Sequence, residues 1–401
     1  MTDNNAPPSP IPHLPRPEPR VWVISSGDSP IGISLARQIL ENGDCVVAGL
    51  VPTYFPRDER RLERFRGFLG EVDANGEDNW KARFRPVVLD IRMMSACQAA
   101  IAEATKTFGK IDILVCCTSQ GKLYIDLLSV ANPNLFLTAI VGTVEELAAS
   151  QRTLNLVRDQ FESNYFGPVN IIRAALPHMR KQKAGHIQVL SGITAHLGTP
   201  GLGVYCAAQW ALEGFCDSIA YEIAPFNIKL SILQCSIEIL ILTNLITTVP
   251  PINSAYSPST NHAPLFRNIL GGLISRLPTV DINTSNPSTS STQTSSDIYD
   301  RADSEEYSPA INQGPHIFSV PKFVSMQPPL GTAHSERLTA ETVHAIMAIG
   351  GHENPPSRHI VGQEGIASVK EKLKTVSEEL EDFIQSSLAV DIPQDEDSVR
   401  T

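Results

Sequence analysis

Six short apolar runs recur through the first two thirds of the chain: VWVIS (21–25), CVVAGLV (45–51), RPVVLDI (85–91), IDILVCC (111–117), HIQVLS (186–191) and KLSILQC (229–235). Each is close to continuously apolar, as a strand must be when helices cover both faces of its sheet. Helical patterns fill the intervals, at 31–41, at 93–107 closed by Gly109, over a long stretch ending near Lys181, and at 205–223. Such βαβα alternation predicts a doubly wound, parallel α/β sheet with helices on both faces, built as one domain.

The remaining sequence marks the limits of that domain. Proline is unusually frequent, 30 residues in 401, and crowds into residues 1–19, which read as a disordered tail before a core at 20–248. Residues 249–334 read as a lid region followed by a disordered insertion, since TSNPSTSSTQTSS (284–296) and DIYDRADSEEYS (297–308) are too polar to bury. Residues 264–277 could add a short helix. Order is expected to return at 335–388 as a helix, the strand HIVG (359–362) and an amphipathic helix from about Gly365, followed by an acidic tail at 389–401. In that last helix Ile366, Val369, Leu373, Val376, Leu380 and Phe383 recur at steps of three and four, which predicts one stripe buried against its own domain.

A net charge of −11 argues against nucleic acid or an anionic membrane as the partner. The seven cysteines lack metal-ligand spacing and read as buried thiols. The longest apolar run, 230–246, contains Gln234, Glu238 and Asn244, so it reads as a strand and its exit loop and not as a membrane span. With no apolar leader at the N-terminus, the expected compartment is the cytoplasm.

The first strand runs into ISSGDSPIGISLARQIL, a turn of small residues opening a helix, which is how a backbone brings helix N-terminal amides to a pyrophosphate. An ordinary strand-to-helix turn is the alternative. The run resembles the T-G-x-x-x-G-x-G motif of the short-chain dehydrogenase/reductase family, with Ser25 at the threonine, Ser26 and Pro30 at the first two glycines, and Gly32 at the third. Gly27 would serve the tight turn one position late. The resemblance makes Ser25, Gly27, Ser29, Ile31 and Gly32 cofactor-binding candidates. It extends to Leu89-Asp90-Ile91, whose Asp90 would meet the adenine ring or else cap the next helix, with Ile91 beside it. It departs at Cys116-Cys117-Thr118-Ser119, where the family has N-N-A-G. In ESNYFGPVN, Asn164 matches the family's catalytic asparagine, a structural hydrogen bond being the alternative.

The fullest match is HIQVLSGITAHLGTPGLGVYCAAQWALEGF, where Tyr205 takes the place of the tyrosine in Y-x-x-x-K. Gln209 stands at the lysine, Gly192 at the catalytic serine, and Ser191 one residue away. The resemblance implies an NAD(P)-dependent oxidoreductase acting on a small-molecule carbonyl or alcohol, with Tyr205, Asn164, Ser191 and Gln209 as its catalytic set. Tyr205 and Gln209 would also touch the cofactor, and a homodimer is left open. A phenol of ordinary pKa about 10 is a poor base at neutrality, and Gln209 brings no cation one helical turn away to favour phenolate, so weakened catalysis is expected. The alternative is a nucleotide-binding regulatory or scaffold protein that does no redox chemistry. Gly49-Leu50-Val51 ends the second strand without the carboxylate that takes ribose hydroxyls in NAD-preferring folds, and Arg57, Arg60 and Arg61 follow, so NADP(H) is expected over NAD(H). Finally, GKLYIDLLSVANPNLFLTAI (121–140) makes the connection after the fourth strand too long for the family plan. Its ends can be encoded as a splice donor and a branch point with acceptor, so the segment reads either as a retained intron or as a loop over the nicotinamide side.

Overall fold

The computed structural model describes residues 18–52, 59–76, 78–117, 139–236, 246–250, 252, 324–326, 332–382 and 384. The expected proline-rich tail, nearly all of 121–140, the helix at 264–277, the polar insertion and the acidic tail lie outside these residues. So does Arg57.

Seven strands form one sheet in the order β10-β7-β6-β4-β1-β2-β3, every neighbouring pair parallel. They are β1 (Val21–Ile24), β2 (Cys45–Leu50), β3 (Phe84–Val88), β4 (Ile113–Cys116), β6 (Gly185–Gly192), β7 (Ile228–Cys235) and β10 (Arg358–Ile360). The chain winds outward from β1 through β2 to β3, then returns to the other side of β1 at β4. That reversal opens a crevice between the C-terminal ends of β1 and β4, where open α/β sheets hold ligands.

Successive side chains on a strand point to opposite faces, and the core divides accordingly. On one face Trp22, Ile24, Val46 and Leu233 pack with α1 (Pro30–Glu41), α2 (Glu59–Ala74) and α9 (Thr332–Gly351). On the other, Val23, Val47, Leu114 and Ile187 pack with α4 (Met94–Phe108), α7 (Gly167–Gln182) and α8 (Gly203–Ile223). A short α3 (Trp80–Arg83) leads into β3, an edge strand that leaves Arg85, Pro86 and Val88 exposed. Pro86 is tolerated there because an edge strand can spare an N–H. The seven cysteines are all buried and free. No helix among the described residues is long and apolar enough to cross a membrane.

Two features depart from the sequence reading. A second sheet, β5-β8-β9, joins β5 (Ala139–Val141), β8 (Ile246–Thr248) and β9 (Val324–Met326), with β8 parallel to β5 and antiparallel to β9. Strands of three residues carry too little periodicity to be read from sequence. The other departure corrects the expected buried stripe of the last helix, α10 (Gln363–Asp382). Val369 is buried, but Ile366, Leu373 and Leu380 are 37%, 56% and 69% exposed. A spacing of three and four specifies an apolar face without specifying what covers it.

His186 on β6 is buried, with Nε2 3.0 Å from Ser231 Oγ. Ser231 gives its one proton to Pro356 O at 2.7 Å, so His186 is the donor in that pair. Burial, then Lys229 and Arg20, pull the imidazole down to about 4. Between that value and about 6.5 only the unfolded chain binds the proton, so His186 makes stability fall as pH falls through this window. Asp159, raised by burial to about 6, acts in the opposite sense. Replacing His186 with Gln keeps a donor and removes the titration. Its denaturation midpoint should therefore drop less than that of wild type between about pH 7 and pH 4.5. Equal drops would contradict the assignment.

Candidate active site

The crevice at the switch point is closed by a single hydroxyl. Ser25, just past β1, donates from Oγ to Cys117 O at 2.7 Å and accepts from Cys117 N at 3.0 Å, tying the β1 turn to the end of β4. The turn is also held to β2, Gly27 N donating to Gly49 O at 2.7 Å. A Cβ at Gly27 would lie 2.5 Å from Ala48 Cβ, and one at Gly32 would lie 2.0 Å from Ser26 O, so both glycines are required for close packing. Ser29 is the N-cap of α1, accepting from Gly32 N at 3.0 Å while its own proton goes to Ser26 O at 2.7 Å.

These bonds test how far a dinucleotide would fit. Both serine protons expected to reach a cofactor are committed to the main chain. Pro30 has no N–H, and the amides of Gly32 and Ile33 are bonded to Ser29. Of the first-turn amides, that of Ile31 has no partner among the described residues, and it lies at the positive end of the α1 dipole. The turn thus fits phosphate through backbone and dipole, with the side chains holding its shape.

Asp28 and Arg61 complete the crevice in a way the sequence reading missed. Arg61 on α2 pairs with Asp28 and reaches Ser26 Oγ at 3.3 Å, and Asp28 Oδ2 also accepts from Val51 N at 3.4 Å. A carboxylate from the first turn therefore stands at the end of β2, together with a guanidinium. Arg60 carries no described side chain. Asp90 is buried and engaged by Arg92, which donates to it from Nε at 3.0 Å and from Nη2 at 2.9 Å. The N-cap of α4 is Met93, so Asp90 does not cap that helix. Ile91 packs on Gly167, where a Cβ would meet Ile91 Cδ1 at 2.6 Å, and Ile91 O accepts from Asn170 Nδ2 at 3.2 Å.

Asn164 lies buried in a π-helical turn, Glu162–Phe166, between α6 (Gln151–Phe161) and α7. Such turns are often found at functional sites. Tyr165 and Phe215 meet edge to face, with centroids 6.4 Å apart, and so join this turn to α8.

On α8, Tyr205, Gln209 and Glu213 follow one another at steps of four and share a face, all buried. Ser191 Oγ is 2.6 Å from Glu213 Oε1 and 3.1 Å from Gln209 Oε1. A hydroxyl has one proton, and the shorter, charge-assisted contact takes it. Gln209 must then offer Ser191 its N–H₂, which turns its carbonyl oxygen to the position where a buried Nε2 would otherwise lack an acceptor. Gln209 also neighbours the Tyr205 phenol and draws its pKa down, against the burial that raises it.

Burial pushes the Tyr205 phenol well above its ordinary value, and Cys206 and Cys235 add to the rise. Burial would also raise the Glu213 carboxyl, but hydrogen bonds with His196, Ser191 and Gln234 outweigh it and hold the group below its ordinary value. Gln234 Nε2 donates to both Glu213 oxygens, at 3.0 and 2.9 Å, and Arg358 Nε on β10 lies 3.4 Å from Oε2. In the turn Ile193–Ala195 after β6, Thr194 is buried with no partner for its hydroxyl among the described residues.

Residues 20–243 match the sequence profile of the short chain dehydrogenase family, more than half of the chain. The chain belongs to that family. It is 28% identical over 215 residues to "Oxidoreductase BOA17" of Botryotinia fuckeliana, covering 54% of this chain and 64% of that protein. It is 28% identical over 221 residues to human "Retinol dehydrogenase 8", covering 54% and 58%. The chain thus spans less than two thirds of these relatives. A short-chain dehydrogenase structure from Streptomyces avermitilis is alike in fold, with a TM-score of 0.58 at 20% identity over 94% of this chain and all of that one. Glu213, two turns beyond Tyr205, could have been found from the Y-x-x-x-Q-x-x-x-E spacing. Its partners on β6, β7 and β10 could not, because the fold alone brings them together.

Proposed function

We propose that this short-chain dehydrogenase is an NAD(P)-dependent oxidoreductase that interconverts a small-molecule carbonyl and its alcohol, slowly near neutral pH. The observation that supports this best is the row Tyr205, Gln209, Glu213 on α8, set beside the turn that carries Asn164 and the end of β6. The bound nicotinamide would supply or accept hydride. The Ile31 amide, in the packed turn around Gly27 and Gly32, would hold its phosphates, with Gln209 and Tyr205 toward the nicotinamide ribose and Asp90 and Ile91 toward the adenine. Tyr205 exchanges the proton on the substrate oxygen. Because Ser191 is engaged by Glu213 and Gly192 has no side chain, the free hydroxyl of Thr194 takes the place of the missing serine as donor to that oxygen.

A phenol that holds its proton far above neutrality suits donation to a carbonyl and resists taking a proton from an alcohol. Reduction is therefore favoured near pH 7, and oxidation should quicken as pH rises. A lysine at 209 would place a cation beside the phenol and find Glu213 one turn away as its counter-ion. Since general acid–base help is worth about 10²–10⁴-fold, Gln209→Lys should raise turnover of a simple apolar ketone by at least about tenfold, and Tyr205→Phe should abolish it. Two relatives are named for retinol and a 17β-hydroxysteroid, which points to apolar probes. The competing reading, a nucleotide-binding protein without redox chemistry, draws on the near-complete burial of Tyr205. It prevails if no variant turns over any substrate while nucleotide binding persists.

Cofactor preference rests on Arg61. A 2′-phosphate would draw Arg61 from Asp28 through a fork of parallel hydrogen bonds, whereas ribose hydroxyls would donate to Asp28, so the two groups pull the preference in opposite directions and the guanidinium is proposed to prevail. In a fluorescence titration NADPH should bind more tightly than NADH, and Arg61→Ala should weaken NADPH by about tenfold or more while changing NADH little. Tighter NADH binding would reverse the assignment.

A further inference from the structure

The uncovered face of α10 carries a regular apolar seam. Ile366, Val369, Leu373, Val376 and Leu380 alternate strictly at three and four, the a and d positions of a heptad, which is narrower than the stripe of a helix lying on a globular core. The seam is buried at Val369, next to buried Gly365, and half-buried at Val376. Beyond Val369 the helix runs on with Leu373 and Leu380 exposed, and Ile384 just past it is 57% exposed.

The charges that flank the seam are ordered by sign: Lys370 and Lys372 come in its first half and Glu379 in its second, with Glu371 on the face away from it. Lys372 and Glu379 are the g positions flanking the seam, and neither makes an ion pair among the described residues. In a parallel pair of these helices, lysines would lie near lysines and Lys372 would face the partner's Ser377. In an antiparallel pair about a two-fold axis, Leu373 packs on the partner's Val376 and Val369 on the partner's Leu380. That register sets Lys372 against the partner's Glu379, and the two-fold axis makes this contact twice.

We propose that α10 is a self-association surface, pairing antiparallel with the same helix of a second copy through Leu373, Val376 and Leu380 and steered by Lys372 and Glu379. The exposed apolar seam supplies the attraction, and the charge order selects orientation and partner. None of these residues belongs to the candidate active site.

Sedimentation of the full chain, with circular dichroism to confirm folding, tests this. Wild type should associate reversibly, and Leu373→Glu should lower its assembled mass by a factor of two. Lys372→Glu and Glu379→Lys should each weaken association by at least about tenfold, and the double variant should restore it, because the swap re-forms both contacts. Unchanged mass for Leu373→Glu, or no recovery in the double variant, would overturn the proposal. So would a monomeric wild type whose binding to phosphatidylserine vesicles is lost in Leu373→Glu, which would assign the face to a lipid surface.

Discussion

A carboxylate taken out of water costs several kcal/mol unless donors surround it, and Glu213 is buried at the heart of this fold. Its donors come from four separate elements: Ser191 at the end of β6, His196 after the turn that follows, Gln234 at the end of β7, and Arg358 on β10. Arg358 also pairs with Asp217, one turn further along α8, at 2.5 Å. The strand nearest the C-terminus is thereby fixed to the helix that carries Tyr205. The same carboxylate takes the Ser191 proton, and that choice turns the Gln209 amide, while burial sets the protonation state of Tyr205 one turn before it. One buried charge connects the closure of the sheet to the chemistry at its edge.

The switch-point crevice follows another logic. Its side chains serve mainly to shape backbone, with Ser25 joining β1 to β4 and Ser29 capping α1. Within the turn, Gly27 and Gly32 occupy two places where a Cβ has no room. Phosphate recognition by an amide and a helix dipole needs that shape more than any particular side chain.

What could be read beforehand follows from the range of the interactions concerned. The strands of the main sheet were legible because burial on both faces leaves a continuous apolar run, and α4 ended where Gly109 takes a left-handed φ of 78°. The positions of Tyr205, Gln209 and Asn164 were legible because each follows a local pattern. The Asp28–Arg61 pair was not, since it joins residues 33 apart across a turn and a helix. Neither were the partners of Asp90 and Ser191, whose hydroxyl and carboxylate fit several roles until their neighbours are known. The last helix shows the limit most clearly: periodicity identified its apolar face, but only the fold could show that face uncovered.

The central claim is that burial on α8 holds Tyr205 as a protonated phenol. Ultraviolet titration of tyrosinate, compared between wild type and Tyr205→Phe, tests it directly. The account predicts no difference between the two below about pH 10, because Tyr205 ionises above an ordinary tyrosine. A tyrosinate signal near about pH 8 in wild type that is missing from Tyr205→Phe would contradict it.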